Sequence, residues 1–127
     1  MPCKQLGCES VTELLSLIEK ECKDASNIFV LCTGSEDPTT GKSWCPDCVK
    51  AEPVIENCLK SSKDTDVFIV AIAGDRPIWK NPDNEFRKHP KTLLKSIPTL
   101  IKWGTPERLS EGQCSDANLV SMMLEED

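Results

Sequence analysis

The chain has a single histidine, no second Cys-x-x-Cys, no Gly-x-Gly pair and no apolar run longer than residues 67–73. Each absence argues against a class of function. A helix crossing a bilayer needs about 20 apolar residues, so no membrane span is expected. Without Gly-x-Gly there is no fingerprint for a dinucleotide bound to the chain itself. The N-terminal string Met1-Pro2-Cys3-Lys4-Gln5-Leu6-Gly7-Cys8 lacks the apolar centre of a secretory signal, which points to a cytoplasmic location. Cationic residues are in the minority, 15 Lys and Arg against 21 Asp and Glu, and are scattered rather than gathered in a stripe. The net charge of −6 makes nucleic acid and anionic membranes poor partners.

What is present describes an ordinary globular chain. Its 127 residues, 39% hydrophobic and 28% charged, suffice for one domain (1–127) with its own core, expected to be a monomer. Eight cysteines in such a length need a reason. A disulfide scaffold belongs to oxidising compartments, and the absent signal argues against it. Most of the thiols are better read as small apolar groups or reactive centres.

Ser10-Val11-Thr12-Glu13 reads as a capping box, with Val11, Leu14, Leu15, Ile18 and Cys22 on one face of the helix behind it. Ile28-Phe29-Val30-Leu31-Cys32 is apolar on both faces and fits a central strand. Residues 35–43, with Pro38 and Gly41, read as a loop. A second helix is expected from Cys45 to about Ser61, kinked at Pro53. Residues 67–73 form the second buried strand, and 74–90 read as irregular with one helical turn near 85–88. Strands at 99–103 and 107–110 flank a turn at Gly104-Thr105-Pro106. A last helix begins near Ser115, with Leu119, Met122 and Met123 facing inward, and residues 3–8 supply a weakly signalled edge strand. The order predicts an α/β fold, a central mixed β-sheet flanked by helices on both faces.

Chemistry concentrates at Trp44-Cys45-Pro46-Asp47-Cys48, which follows a buried strand and a loop and opens a helix. If Cys45 is the N-cap, its sulfur sits where an acceptor for the first-turn amides belongs. The amides and the helix dipole both favour the thiolate, which is the nucleophile. Pro46 suits the first helical position. Asp47 suits the helix start but opposes a neighbouring thiolate. Cys45 is then the attacking nucleophile, and Cys48, one turn deeper, the resolving thiol that closes a Cys45–Cys48 disulfide. Trp44 can shield the reacting sulfur. The competing reading is a structural zinc site completed by Cys3 and Cys8, which the ligand spacing does not favour.

With those residues in place, the chain resembles the thioredoxin-like superfamily and, within it, the thioredoxin domain-containing protein 17 family. The resemblance rests on Thr33-Gly34-Ser35, on Gly41-Lys42-Ser43-Trp44-Cys45-Pro46-Asp47-Cys48 and on Ala51-Glu52-Pro53. It continues through Arg76-Pro77, Trp79-Lys80, Asn84, Phe86-Arg87, Ile97-Pro98-Thr99-Leu100 and Gly104-Thr105-Pro106. It implies a thiol-disulfide oxidoreductase with no bound cofactor, re-reduced by NADPH through thioredoxin reductase. It further implies action on small disulfides such as cystine and on selected protein disulfides. Pro98 is implied to be cis and packed beside Cys45, with the Ile97 backbone offered to substrate. Two departures stand out. Thioredoxins carry a buried aspartate in the strand before the site, whereas residues 28–33 contain no acid, leaving Asp47 or a water to take the proton of Cys48. Residues 35–43 are also longer than thioredoxin's connection and, with 75–84, are expected to crowd the surface around Cys45.

Of the remaining thiols, Cys32 and Cys58 read as buried, and Cys3, Cys8 and Cys114 as exposed. His89 reads as solvent-facing, Trp79 and Trp103 as packing anchors, Trp79 with a second reading at the rim of the site, and Glu125-Glu126-Asp127 as a solvated end. The alternative to a reductase is a redox-sensitive thioredoxin-fold adaptor for a signalling partner.

Overall fold

Residues 3–125 are described by the computed structural model. Eight residues, Val67–Gly74, form β5, the longest strand and an inner one of the sheet. On one side of it lies β2 (Ile28–Gly34) and on the other β1 (Lys4–Cys8), both parallel to it. β6 (Thr99–Lys102) runs antiparallel beside β2, and β7 (Arg108–Ser110) closes that edge. The order β1-β5-β2-β6-β7 is the predicted mixed sheet, and its first strand is the one the sequence signalled most weakly.

Strand alternation divides the core into two layers. Val30, Cys32, Ile69, Ala71 and Ile101 face α1 (Val11–Glu21) and the segment that carries Trp79 and Phe86. Phe29, Leu31, Phe68 and Leu100 face α2 (Pro46–Leu59) and α5 (Ala117–Glu125). Pro53 withholds one backbone hydrogen bond yet lies within α2, which continues to Leu59. Ser10 caps α1 by accepting the Glu13 N–H at 3.1 Å, but the Glu13 carboxylate takes the N–H of Glu9, not of Ser10. Only half of the expected capping box forms.

Two segments are more ordered than the sequence suggests. Residues 35–43 contain an antiparallel ribbon, β3 (Glu36–Asp37) with β4 (Lys42–Ser43), turned at Gly41 with φ +72°. Residues 75–88 hold two short helices, α3 (Arg76–Lys80) and α4 (Glu85–Lys88). Asp75 caps α3 and Pro77 sits in its first turn, where a missing N–H is harmless. Asn84 ties both helices to the sheet: its amide donates to the Ala73 and Ile78 carbonyls, and its oxygen accepts the Phe86 N–H. Asn84→Ala removes all three bonds, although the Ile78 carbonyl keeps the Asn81 N–H. It is expected to lower unfolding stability by about 2–3 kcal/mol, measured in urea, and to expose Trp79.

At the C-terminal end Val120, Met123 and Leu124 are buried, while Met122 is 60% exposed and Leu119 half-buried. A 3₁₀ turn at Glu111–Ser115 precedes α5, and of the three residues expected to face inward Met123 does, Leu119 does in part and Met122 does not. Of the acidic tail, Glu126 and Asp127 lie outside the described residues. Among the described residues no helix is long and apolar enough to cross a membrane.

Candidate active site

The C-terminal ends of β2 and β5 deliver the chain to one place. Gly34 pairs with Gly74 just beyond an irregularity in the strand register, and the chain leaves β2 through the β3–β4 ribbon before entering α2. Trp44 is anchored across this gap: its indole N–H donates to the Gly74 carbonyl at 2.9 Å, and its backbone N–H to Ser35 O at 3.3 Å. Arg76 of α3 lies over its ring, 5.5 Å from the centroid. The two segments expected to crowd the site thus meet on Trp44, the residue that precedes the first cysteine.

Cys45 is the N-cap of α2, in extended conformation (φ −90°, ψ 113°), and Pro46 takes the first helical position. The Cys45 Sγ accepts the Cys48 backbone N–H at 3.3 Å, as a capping oxygen would. The same thiol points to the Ile97 carbonyl, 3.8 Å away. Its backbone N–H donates to Ser43 Oγ at 3.2 Å, and that hydroxyl in turn donates to Gly34 O at 3.1 Å. The Ile97–Pro98 peptide bond is cis. Trp44, Cys45, Cys48, Ile97 and Pro98 are therefore one constellation, built from α2 and the chain entering β6. Pro46 and Asp47 are exposed on its outer side.

The two sulfurs occupy different environments. Cys45 retains 5% of its surface, whereas Cys48 has none. Cys45 and Cys48 approach to 2.7 Å. Burial pushes the Cys48 thiol up to about 12, and its contact with Cys45 adds to the rise; the Thr33 hydroxyl and the Gly34 backbone pull the other way. Thr33 is the residue of the site that sequence reasoning missed. A buried threonine at the end of an apolar strand looks like packing until the helix that covers it is known.

The other cysteines differ from expectation. Cys3, Cys8 and Cys114 are buried rather than exposed. β1 pairs parallel to β5 and carries Cys8 into the core, while Cys114 packs under α2 and bonds to the carbonyls of Leu109 and Pro98. Cys32 is buried as expected, but Cys58 is only half-buried, against Ser121. His89 ends α4 and is half-buried, its Nδ1 accepting the Lys91 N–H. Trp79 is buried beneath the Arg87 guanidinium rather than lining the rim. Among the described residues no group of three or more His, Cys, Asp or Glu is placed to hold a metal ion.

Burial also pushes Cys8 up to about 11, Cys32 to about 12 and Cys114 to about 11. These thiols are protonated at neutral pH, and a thiol is a poor nucleophile. Limiting iodoacetamide at pH 7 is expected to label Cys45 while leaving Cys8, Cys32, Cys48 and Cys114 unmodified until the protein is unfolded, as peptide mass mapping would show.

A cis-proline facing a helix-capping Cys-x-x-Cys beneath a five-stranded mixed sheet invites comparison with known proteins. The sequence model described as thioredoxin domain-containing protein 17-like, thioredoxin domain, matches residues 5–126. The chain belongs to the thioredoxin domain-containing protein 17 family. It is 49% identical over 107 residues to thioredoxin domain-containing protein 17 of Homo sapiens, covering 84% of this chain and 85% of that one. It is 40% identical over 99 residues to the thioredoxin-like protein Clot of Arabidopsis thaliana, covering 76% and 74%. The solved structure of reduced thioredoxin pre-protein from Schistosoma mansoni matches with a TM-score of 0.60 at 14% identity, over 95% of this chain and 98% of that one. That likeness establishes the thioredoxin fold, and family membership agrees with the resemblance carried by the Trp44–Cys48 motif.

Proposed function

We propose that this member of the family is a disulfide reductase acting through the Cys45–Cys48 dithiol. The observation that carries the reading is the position of Cys45. Its sulfur caps α2, accepts the Cys48 N–H and sits beside the carbonyl of a cis-proline loop, at the one edge of the pair that solvent reaches. The Cys45 thiolate attacks one sulfur of a substrate disulfide and joins it, and the other sulfur leaves with the electron pair and gains a proton. Cys48 then loses its proton and attacks Cys45, which expels the remaining substrate thiol and leaves the Cys45–Cys48 disulfide. The substrate gains two electrons and the protein loses two. Ile97, with backbone facing Cys45, serves as the docking edge, Pro98 fixes its direction, Trp44 excludes water, and Pro46 and Asp47 form the outer lip.

Return to the dithiol needs an electron donor, and we assign it to NADPH through thioredoxin reductase, with no cofactor bound to this chain. The ribbon β3–β4 and helix α3, braced on Trp44, narrow the approach to Cys45, which favours small disulfides such as cystine and selected protein disulfides. A cytoplasmic monomer fits this role. The test is NADPH oxidation with thioredoxin reductase, cystine and this protein. Turnover that disappears in Cys45→Ser supports the reading. Absence of turnover with folded, reduced protein contradicts it and directs attention to redox-dependent binding of a partner.

A further inference from the structure

We propose that the Thr33 hydroxyl is a positioning group for the resolving step, the hydrogen-bond donor that meets the Cys48 thiolate as it forms. The inference rests on the dithiol reading above and deepens it. Thr33 is 2% exposed, next to last in β2, and its Oγ1 has no hydrogen-bond partner among the described residues. A buried hydroxyl without a partner weakens the resting fold, and a valine of the same shape would relieve that. The structure keeps it where α2 covers the end of β2. The next residue, Gly34, packs so closely on Trp44 and Ser43 that a Cβ there would lie 2.8 Å from the indole nitrogen.

The unclaimed hydroxyl faces a thiol that must ionise. No bond of good geometry joins Thr33 to the resting Cys48 side chain, yet its hydroxyl is close enough to draw that thiol's pKa down against the rise caused by burial. A neutral thiol is a weak acceptor, whereas a thiolate is a strong one. The bond is therefore made when the charge appears. No charged side chain acts on Cys48: Glu52, one turn further along α2, is half-buried and its carboxyl is pushed up by burial and by Glu36 and Glu56, but it does not bear on this thiol. The titratable group acting on Cys48 is Cys45. Asp47 and Lys50 on the same helix, Lys42 of β4, Arg76 of α3 and Lys95 before the proline loop are all exposed, and β2 and β5 carry no charged residue. Asp47, the acid that the sequence offered for this proton, is thus outside the buried side of the helix.

In the resolving step the Cys48 proton leaves to solvent and its sulfur attacks Cys45 Sγ. The Cys45–substrate bond breaks, the Cys45–Cys48 bond forms, and the substrate sulfur departs with the electron pair and takes up a proton. A donor that favours the Cys48 thiolate accelerates this step and leaves the first attack unchanged. Stopped-flow reaction of reduced protein with limiting 5,5′-dithiobis(2-nitrobenzoate) separates the two, because attack by Cys45 releases one coloured thiolate and resolution by Cys48 the second. In Thr33→Val the second phase is expected to slow about tenfold, and its pH midpoint to rise by about one pH unit, with the first phase unaltered. Thr33→Ser, which keeps the hydroxyl, restores both. Equal second phases in wild type and Thr33→Val, or a parallel fall of both phases that Thr33→Ser shares, would overturn the proposal. A wild-type protein with no second phase, or a Cys48→Ser variant that retains it, would remove the dithiol reading and this inference with it.

Discussion

Cys48→Ser protein is expected to accumulate as a mixed disulfide on Cys45 when mixed with a disulfide substrate, while Cys45→Ser neither traps nor turns over. The asymmetry follows from burial and from the direction of the cap. Cys45 keeps 5% of its surface and Cys48 none, so substrate is expected to meet the first cysteine. Removing Cys48 stops resolution but leaves the attacking thiol and the docking carbonyl of Ile97 in place. Removing Cys45 deletes the nucleophile, and a serine hydroxyl at that position is not ionised at neutral pH. Turnover in Cys45→Ser should fall roughly a hundredfold or more. Intact-mass measurement of the two variants after brief exposure to cystine reads the difference. A mixed disulfide that formed equally well on Cys45→Ser would reverse the roles of the two residues.

The second large effect is expected at Gly34. An added Cβ would lie 2.8 Å from Trp44 Nε1 and 3.1 Å from Ser43 Oγ, closer than side chains settle. The indole nitrogen is committed to the Gly74 carbonyl, and the Ser43 hydroxyl both donates to Gly34 O and accepts the Cys45 N–H. Whichever side yields, the segment that sets the Cys45 backbone is disturbed. Gly34→Ala should lose about 2 kcal/mol of unfolding stability through overpacking and slow mixed-disulfide formation at Cys45 several-fold. Gly112→Ala is the control, since a Cβ there meets nothing within 4 Å. Denaturant unfolding together with the rate of Cys45 labelling distinguishes the two glycines. Equal behaviour would mean that the close approach at Gly34 does not govern the site.

How much of this was legible beforehand depended on whether the signal was local. β2 and β5 announced themselves as apolar runs, and the start of α2 through a cysteine followed by proline at the first helical position. The packing of Cys45 against the residues around Pro98 needed the family resemblance, because 52 residues separate Cys45 from Ile97. α3 was hidden among proline, aspartate and asparagine, residues that signal turns unless the Asp75 cap and the Asn84 bonds are known to be satisfied. Cys8 and Cys114 looked exposed because their burial is decided by long-range contacts, the parallel pairing of β1 with β5 and the cover of α2. Met122 was placed inward by apolar character, but α5 rests on Val120, Met123 and Leu124 instead. Thr33 entered the sequence reading only within the Thr33-Gly34-Ser35 resemblance, with no role attached to it. Its meaning comes from an unsatisfied hydroxyl and from the thiol above it.

The most direct test of the account is to equilibrate the protein in a graded dithiothreitol redox buffer and map its cysteines by mass spectrometry. A single two-electron transition that joins Cys45 to Cys48 while Cys3, Cys8, Cys22, Cys32, Cys58 and Cys114 remain thiols is the expected result. A disulfide forming first between any other pair, or no transition at Cys45 and Cys48, would contradict it.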